Sequence, residues 1–478
     1  MTLSALPFPT VPRAIAPDRD ALGLAIDRAT GARPIGGNLL VHHPDTPRAL
    51  AAMLELIAGA ERWVHFENYI IRDDRTGRRF AAALAERARA GVRVRVLYDA
   101  FGSLGTAGRL WRGLRQAGVD VRAFHPLLSP RFLDVIFRDH RKLVVGDGAR
   151  AMIGGLCIGE EWEGDAARGR RPWRDTMVTV SGPAAAAADA AFGRVWERAG
   201  SPLPPDELEA DPAECGPGTV RVVAGAPGRA RMYRAVQLLA ASARQRLWIT
   251  DAYLIAPMPL YAALLDAARD GVDVRLLVPG MSDLAVLRNS TRIGYRDLLH
   301  AGVRIFEWQG PMLHAKTFVV DQRWARVGSS NLNVSSLLGN YELDLIAESD
   351  ELAAALAYQF LRDLASCQEI VLQPGRRFLP ARLVGAPATA APSAREPRHK
   401  RSRYELRAVA VVALRRVAGG VRRTIAATAA LAFVVMGAML LVFPRAMSIA
   451  LAACAFLFAL GSGAYALERR RSREPDDR

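Results

Sequence analysis

The chain has 478 residues, of which 51% are hydrophobic and 23% charged, so it is longer than one ordinary domain and apolar enough for a large core. This composition excludes an intrinsically disordered chain. The four cysteines are widely separated and form no CxxC motif, which argues against a disulfide framework or a structural zinc site. The formal net charge of +16 leaves nucleic acid or an anionic membrane as candidate partners.

The positive charge is concentrated in the C-terminal part of the chain. Residues 376–478 hold 19 of the 64 basic and 6 of the 48 acidic residues, and therefore carry +13 of the net +16. The rest of the chain carries only +3. This distribution does not predict a basic surface over the whole protein, and we expect no nucleic acid partner.

The chain begins with a segment that shows no clear periodicity. Residues 1–37 are rich in Pro, Ala and Gly and are predicted to be an N-terminal extension, without the apolar core of a signal peptide. A second break, SPLPPDELEADPAECGPG, follows at 201–218. We place a linker at 206–217, between a first domain over 38–205 and a second over 218–372.

These two domains resemble each other in sequence. Four stretches recur in the same order, with offsets between 174 and 184 residues, which indicates an internal duplication. The stretches are RWVHFENYII and RLWITDAYLI, GVRVRVLYD and GVDVRLLVP, RQAGVDVRAF and LHAGVRIFEW, and DHRKLVVGD and LHAKTFVVD.

Each copy alternates between helical and strand patterns. A helix rich in Ala and Leu, at 48–60 and again at 232–243, precedes a strand, and a second helix leads through Ala-Gly to a Val-rich strand. This alternation predicts an α/β fold with a mostly parallel sheet. Two such units can pack about a pseudo-twofold axis and build one site between them.

The candidate catalytic residues lie in the last repeated stretch. The pattern H-x-K-x4-D occurs twice, and it takes two of the three lysines in the whole chain. Alternate residues of a strand face the same side, so each His and Lys are expected to project together. The two sets are His140, Lys142 and Asp147, and His314, Lys316 and Asp321.

This residue set suits phosphodiester chemistry. One imidazole can attack phosphorus, the other can protonate the leaving alcohol, and the lysines can neutralise the non-bridging oxygens. Each aspartate occupies a predicted turn, where it can bind backbone N–H groups or brace the site. The chemistry requires no metal or cofactor, and the sequence offers no obvious carboxylate cluster that would hold a metal.

The duplicated motif resembles the HKD signature of the phospholipase D superfamily, and the resemblance covers residues 38–372. Within the superfamily the chain is most similar to bacterial cardiolipin synthases. The stretches that carry this similarity include HFENYIIRDDRTGRRFAAAL, DHRKLVVGDGARAMIGG, WRDTMVTVSGP and VGSSNLNVSSLLGNYELDL. The resemblance implies two pseudo-twofold-related α/β/α domains, a covalent phosphatidyl-histidine, and phosphatidylglycerol as the expected donor and acceptor. It also implies that His140 attacks and that His314 is the general acid.

Further site residues are implied by the same resemblance. The second copy continues with the expected G-S-x-N element and a following acid, and we expect the acids to hold the imidazole Nδ1–H groups. These supporting residues are Gly328, Ser329, Asn331 and Glu342, with Asp175 and Gly154 as their first-copy counterparts; Glu67 and Asp99 match positions near the site. The first copy has Cys157 where the family has asparagine, and a thiol is a poor hydrogen-bond donor.

The tail is predicted to attach the protein to a membrane. A linker at 373–403 leads to a basic juxtamembrane helix at 404–423, a transmembrane helical hairpin at 424–467 and a basic tail at 468–478. Arginines flank the hairpin on both outer ends, so the positive-inside rule places the catalytic body on the cytoplasmic side of a bacterial inner membrane. In familiar cardiolipin synthases the hairpin is N-terminal.

Three other functions remain open at this point. A phospholipase D that hydrolyses phospholipids to phosphatidic acid uses the same intermediate, since water and alcohol compete for it. An HKD nuclease uses the same chemistry but disagrees with the nearly neutral body. A non-catalytic membrane scaffold disagrees with two intact motifs.

Overall fold

The computed structural model describes residues 21–126, 136–283, 291–373 and 376–380, the last of these and residue 373 by their backbone. Sixteen strands form a single mixed sheet that is covered by helices. The strands are β1 Ile35–His43, β2 Trp63–Asn68, β3 Arg93–Asp99, β4 Asp120–Phe124, β5 Lys142–Gly146, β6 Arg150–Gly154, β7 Met177–Ser181, β8 Gly218–Ala224, β9 Arg246–Thr250, β10 Asp273–Pro279, β11 Arg304–Trp308, β12 Thr317–Val320, β13 Trp324–Gly328, β14 Leu343–Glu348, β15 Cys367–Gln373 and β16 Arg376–Pro380.

The helices connect these strands. The α-helices are α1 Ala21–Thr30, α2 Thr46–Ala58, α3 Arg75–Arg89, α4 Gly108–Gln116, α5 Glu160–Glu163, α6 Pro183–Arg198, α7 Arg231–Ser242, α8 Met258–Arg269, α9 Tyr295–His300 and α10 Asp350–Leu364. Short 3-10 turns at Ala166–Arg168 and Pro205–Glu207 and a π-helical turn at Ser335–Gly339 complete the described elements.

Local sequence explains where the helices begin and which face they bury. The Asp45 carboxylate accepts a hydrogen bond from the Arg48 N–H and caps α2, and the Asp74 carboxylate caps α3 through the Gly77 N–H. The buried residues of α2 recur every three or four positions, so one face of the helix packs on the sheet. All six residues of β2 are buried, as expected of a strand covered on both faces.

The strand order repeats between the two copies. It runs β16-β15-β11-β10-β9-β12-β13-β14-β8-β1-β7-β6-β5-β2-β3-β4. The β1–β8 pair lies between the two copies. Outward from this pair, the first copy has the order β1-β7-β6-β5-β2-β3-β4. The second copy has the corresponding order β8-β14-β13-β12-β9-β10-β11. The duplication seen in the sequence is therefore also a duplication of topology.

The prediction of a mostly parallel sheet is wrong. Among the described strands, the parallel pairs are β2–β3, β3–β4, β9–β10 and β10–β11, and the other pairings are antiparallel. The reason lies at Asp147 and Asp321, which follow β5 and β12 with φ of 56° and 54°. These left-handed residues turn the chain back at once, so the next strand is an antiparallel neighbour instead of the end of a helical crossover.

One apolar core joins the two copies. It contains Val180 and Trp196 from the first copy together with Val220, Leu345 and Phe360 from the second, between the sheet and helices α6 and α10. Two further cores lie under α2–α4 and under α1, α7, α8 and α9. The shared core fixes how the two copies lie against each other.

The element bounds differ from the predicted segments at both ends. Helix α1 and the start of β1 lie inside the stretch predicted as an extension over residues 1–37, and Ile26 of α1 is buried against α7. Strand β16 lies inside the predicted linker at 373–403. In the interdomain linker predicted at 206–217, Glu207 is buried, where it binds His65 and Arg95.

None of the helices in the described ranges combines the length and the apolar character that a bilayer crossing requires. The predicted juxtamembrane helix, hairpin and basic tail, residues 404–478, lie outside the described residues.

Candidate active site

Both HKD histidines lie at the same edge of the sheet. Strand β5 runs antiparallel to β2 and pairs Lys142 with Asn68, the last residue of β2. Strand β12 pairs Thr317 with Thr250, the last residue of β9, in the corresponding way. The histidine that precedes each of these strands therefore lies where parallel strands end, the usual place for a site in an α/β sheet.

The backbone of each histidine is held by the opposite copy. The N–H of His140 donates to the carbonyl of Tyr341 at 2.9 Å, and the N–H of His314 donates to the carbonyl of Arg174 at 2.7 Å. The adjacent residues form the isolated bridges Asp139–Tyr341 and Arg174–Leu313. Neither copy alone supplies these contacts.

The side chains repeat this crosswise arrangement. The Nδ1 atom of His140 lies 3.0 and 3.1 Å from the two carboxylate oxygens of Glu342, and that of His314 lies 2.7 Å from Asp175 Oδ2. A carboxylate only accepts hydrogen bonds, so each Nδ1 carries the proton. Each Nε2 is then left as an unprotonated nitrogen that can attack or receive a proton.

The electrostatics keep the imidazoles neutral and the acids charged. Burial, together with the neighbouring lysines, lowers the pKa of His140 and lowers that of His314 to about 4. Burial opposes ionisation of Glu342 and Asp175 as well, but the histidines and lysines outweigh it and hold both carboxyl pKa values below the usual range. At neutral pH each pair is therefore an imidazole that donates to a carboxylate.

Other side chains fix the two carboxylates in place. The Ser329 hydroxyl donates to Glu342 Oε2 at 2.5 Å, and the Ser336 hydroxyl donates to the other oxygen. Asp175 accepts from the indole N–H of Trp162 at 3.1 Å. Of the residues predicted from the G-S-x-N element, Ser329 thus supports the acid that holds the first histidine.

Both lysines are buried beside the histidines. Lys142 and Lys316 are 0% and 1% exposed, and each ammonium group donates to the carbonyl of the histidine two residues earlier. Burial lowers the pKa of Lys316 to about 8, although Asp175 opposes this shift. Two cations held next to two imidazoles form a site for a phosphate group.

The structure does not bring Asp147 and Asp321 into this cluster. Each lies at the other end of its strand; four residue steps of β5 separate Lys142 from Gly146, about 13 Å at the usual rise. The Asp147 carboxylate accepts three backbone N–H groups, from Glu61, Arg62 and Trp63, at 2.7–2.9 Å. Asp321 binds the N–H groups of residues 244–246 in the same way. Of the two roles open from the sequence, the geometry fits the binding of backbone N–H groups.

The predicted glycines allow close packing behind the site. A Cβ on Gly328 would lie 2.1 Å from an Asp344 carboxylate oxygen, and one on Gly154 would lie 2.2 Å from the Thr176 carbonyl. Asn331 lies just beyond β13 with a buried, unpaired side-chain oxygen, and it lines the same cavity as the two histidines. Cys157 lines the same cavity in the first copy and is 1% exposed.

One cavity of about 630 Å³ lies between the two histidines. Both histidines line it, together with aromatic and polar side chains from the two copies. We call it the catalytic cavity. Its volume is typical of a ligand site. Within the described residues, no three His, Cys, Asp or Glu side chains are grouped as metal ligands.

Sequence reasoning missed two tyrosines in the cavity. The ring of Tyr69 lies 4.9 Å from the ring of His140 and 5.0 Å from Lys142 Nζ, and Tyr253 lies 6.0 Å from His314 and 5.9 Å from Lys316 Nζ. The two are aligned in the first repeated stretch, NYII and AYLI, so the repeat itself contained the signal.

Glu67 and Asp99 lie behind the catalytic cavity. The Asp99 carboxylate accepts from the Arg138 side chain at 3.0 Å and from the Asp139 N–H at 2.9 Å, and so holds the backbone just before His140. Glu67 is fully buried beside Asp139, and burial raises the pKa of both carboxyl groups. Neither residue lines the cavity.

Known proteins share this sequence and this fold. A family model described as "Cardiolipin synthase, PLD-like domain" matches residues 237–364. Cardiolipin synthase A of Pseudomonas fluorescens (strain SBW25) is 35% identical over 336 residues, which cover 68% of each chain. The chain belongs to the cardiolipin synthase family of the phospholipase D superfamily. A cardiolipin synthase of Geobacillus kaustophilus (strain HTA426) is 34% identical over 337 residues, 68% of this chain and 65% of that protein.

A solved structure supports the fold of the family. Phosphatidylserine synthase of Haemophilus influenzae Rd KW20 aligns with a TM-score of 0.56 at 14% identity, over 73% of this chain and 92% of that one. The match confirms a phospholipase D-like α/β fold, as the motifs indicated. The family model and the cardiolipin synthase relatives show that the chain is an enzyme of the phospholipase D superfamily.

Proposed function

We propose that the enzyme transfers a phosphatidyl group from one phosphatidylglycerol to another, forming cardiolipin and releasing glycerol. The observation that carries this proposal is the pair of histidines that line one cavity, each held by a carboxylate of the opposite copy and each with a buried lysine on its backbone carbonyl. The relatives named as cardiolipin synthases supply the choice of lipid.

The first step forms a covalent intermediate. Nε2 of His140 attacks the phosphorus of phosphatidylglycerol, and the bond from phosphorus to the glycerol oxygen breaks. Nε2–H of His314 gives its proton to that oxygen, so glycerol leaves as a neutral alcohol. Lys142 and Lys316 stabilise the negative charge on the non-bridging oxygens.

The second step reverses these roles. The terminal hydroxyl of a second phosphatidylglycerol gives its proton to His314 and attacks the same phosphorus. The phosphorus–nitrogen bond to His140 breaks, and cardiolipin leaves. Both histidines are thereby returned to their starting protonation states.

The low pKa of His314 is compatible with the role of general acid. Burial holds its pKa at about 4. A bound phosphodiester adds a negative charge beside the ring and favours the imidazolium, so the proton arrives with the substrate. An imidazolium in a site that disfavours its charge is also a strong proton donor.

Lipid analysis tests the proposed reaction. The purified full-length chain is incubated with vesicles of phosphatidylglycerol, and the lipids are measured by mass spectrometry. We expect cardiolipin and glycerol in equal amounts, and neither from the His140→Ala or His314→Ala variants. Phosphatidic acid as the main product would instead identify a hydrolase.

We further propose how the protein is organised at the membrane. Two phospholipase D-like domains over 38–205 and 218–372 lie about a pseudo-twofold axis, and the hairpin at 424–467 anchors them to the cytoplasmic face of a bacterial inner membrane. The strand order supports the first part, and the arginines that flank the hairpin support the second.

Thiol labelling tests this orientation. Among the described cysteines Cys215 is exposed, whereas Cys157 and Cys367 are buried. A membrane-impermeant maleimide should modify Cys215 in opened cells and leave it unmodified in intact ones, with Cys215→Ser as the control. Labelling of Cys215 in intact cells would contradict a cytoplasmic body.

A further inference from the structure

A second, larger cavity lies apart from the catalytic cavity. It measures about 1120 Å³ and shares no lining residue with the catalytic cavity. We call it the arginine cavity, because five arginines line it, whereas Glu197 is its one carboxylate within the described part of the chain. The five are Arg141, Arg194, Arg198, Arg229 and Arg231.

Two of these guanidinium groups are fixed by the backbone. Arg141 is 2% exposed and donates to the carbonyls of Glu342, Ala191 and Gly225 at 3.1, 2.9 and 3.2 Å. Arg231 donates to the Ala224 carbonyl at 2.9 Å. Carbonyl contacts hold these groups in position but do not neutralise their charge.

Carboxylates compensate little of this charge. The ion pair between Arg141 and Glu67 is long, 3.9 Å, and burial raises the pKa of Glu67, which weakens its charge. Within the described ranges, the guanidinium groups of Arg194, Arg198 and Arg229 form no hydrogen bond or ion pair. Counted over the described residues, the lining of the cavity therefore carries an excess of positive charge.

The arginines also disfavour one another's charge. Burial first, and then the charges of Arg141 and Arg231, lower the pKa of Arg194. Burial and the charges of Arg229 and Arg141 lower that of Arg231. An anion in the cavity would relieve this repulsion.

We propose that the arginine cavity is a second binding site, for an anion that carries one or more phosphate groups. Guanidinium groups match phosphate oxygens with two parallel hydrogen bonds, which an ammonium group does not provide. The concentration of charged groups suits a polar headgroup and not an acyl chain. The phosphate can belong to a phospholipid headgroup or to a soluble compound, and the chemistry of recognition is the same.

The position of this site connects it to the catalytic histidine. Tyr341 lines the arginine cavity, and its carbonyl accepts the hydrogen bond from the His140 N–H. The carbonyl of the next residue, Glu342, accepts a hydrogen bond from Arg141, and its carboxylate accepts one from His140. A bound anion would thus contact the segment that orients the imidazole.

Calorimetric titration of the full-length chain with inorganic pyrophosphate tests the proposal. The variant Arg194→Gln/Arg229→Gln removes two charges from the cavity lining and should weaken binding at least tenfold. Both side chains line the cavity but keep part of their surface in solvent, so their loss does not disturb the core. The matched control, Arg89→Gln/Arg112→Gln, removes the same charge from exposed positions elsewhere and should change affinity less than twofold. The variant His140→Ala/His314→Ala should also retain this binding, because it alters only the catalytic cavity.

An equal loss of affinity in the Arg194→Gln/Arg229→Gln and Arg89→Gln/Arg112→Gln variants would show that binding depends only on the overall charge of the protein. That result would overturn the proposal. The proposal would also be overturned if binding were lost in the His140→Ala/His314→Ala variant and kept in the Arg194→Gln/Arg229→Gln variant. A second titration, in the presence of phosphatidylcholine vesicles with or without cardiolipin, distinguishes the sources. Competition by cardiolipin would support a lipid headgroup as ligand, and its absence would support a soluble phosphate compound.

Discussion

At the scale of single residues, the site depends on buried imidazoles that stay neutral until a substrate brings negative charge. Glu342 and Asp175 make this possible, because each fixes an Nδ1–H without drawing the proton onto its own oxygen. Folding therefore removes His140 and His314 from water in their neutral form.

We predict that acid destabilises the protein through His314. Its pKa is about 4 when folded and about 6.5 when unfolded, so between these values the unfolded chain binds more protons. Stability from this residue is complete above pH 6.5 and falls as the pH drops towards 4, by roughly 2 kcal/mol between pH 6.5 and 5. Melting curves of the wild type and His314→Asn at pH 7 and pH 5 measure it.

The wild type should lose more of its thermal stability than the variant over this interval, by a few degrees. An equal loss in both proteins would show that His314 does not titrate in this range.

Cys157 gives a second prediction at this scale. It occupies the place that Asn331 has in the second copy, and both line the catalytic cavity. Since an amide N–H is a better donor to phosphate than a thiol, Cys157→Asn should leave kcat equal or higher. Steady-state cardiolipin formation checks this, with circular dichroism to verify folding. A severe loss in a folded variant would show that the cavity requires sulfur.

At the scale of elements, the turns after β5 and β12 hold the strands that carry the histidines. Asp147 and Asp321 adopt positive φ and bind the backbone that leads into β2 and β9. Each turn thus joins the strand that follows the catalytic histidine to its neighbour. This contact with backbone N–H groups explains why each HKD motif ends in an aspartate.

We predict that Asp147→Asn lowers stability and leaves catalysis nearly intact. Asparagine tolerates the left-handed conformation, but its NH2 group cannot accept the Glu61 N–H, a loss of about 1–3 kcal/mol. The melting temperature should fall by several degrees, with kcat within a factor of about three. Asp321→Asn should lose less stability, because a single oxygen of Asp321, Oδ1, already accepts the N–H groups of residues 244–246. A loss of kcat above a hundredfold in a folded variant would give the aspartate a part in the chemistry.

The sequence was informative about these elements where it repeats, and less so elsewhere. The aligned stretches located the strands that follow His140 and His314, because similar patterns that recur in the same order are a strong signal. They did not predict the antiparallel pairing, since a strand pattern contains no direction. They also did not assign Glu342 to His140, because that contact joins residues 202 positions apart.

At the scale of the whole molecule, the two copies form one body. They share a core, and the site between them needs backbone and side chains from both. All of the described residues belong to one compact unit, which ends before the predicted membrane segment at 404–478. Catalysis and membrane attachment should therefore be separable.

We predict that deletion of residues 404–478 leaves a folded, soluble body. It should retain activity on detergent-dispersed phosphatidylglycerol but lose activity on vesicles, because basic residues near an anionic surface contribute roughly 1 kcal/mol each. Comparing the two rates for the full and shortened chains measures this. An insoluble shortened chain would instead place residues 424–467 in the protein core.

The central claim is that the copies build one site in which His140 attacks phosphorus and His314 gives the proton. Intact-protein mass spectrometry, after brief mixing with a phosphatidyl ester of p-nitrophenol, tests it most directly. That leaving group needs no proton, so His314→Ala should gain the mass of one phosphatidyl group on His140, and His140→Ala should gain none. An adduct on His314 in the His140→Ala variant would reverse the roles, and no adduct in either variant would contradict the covalent route.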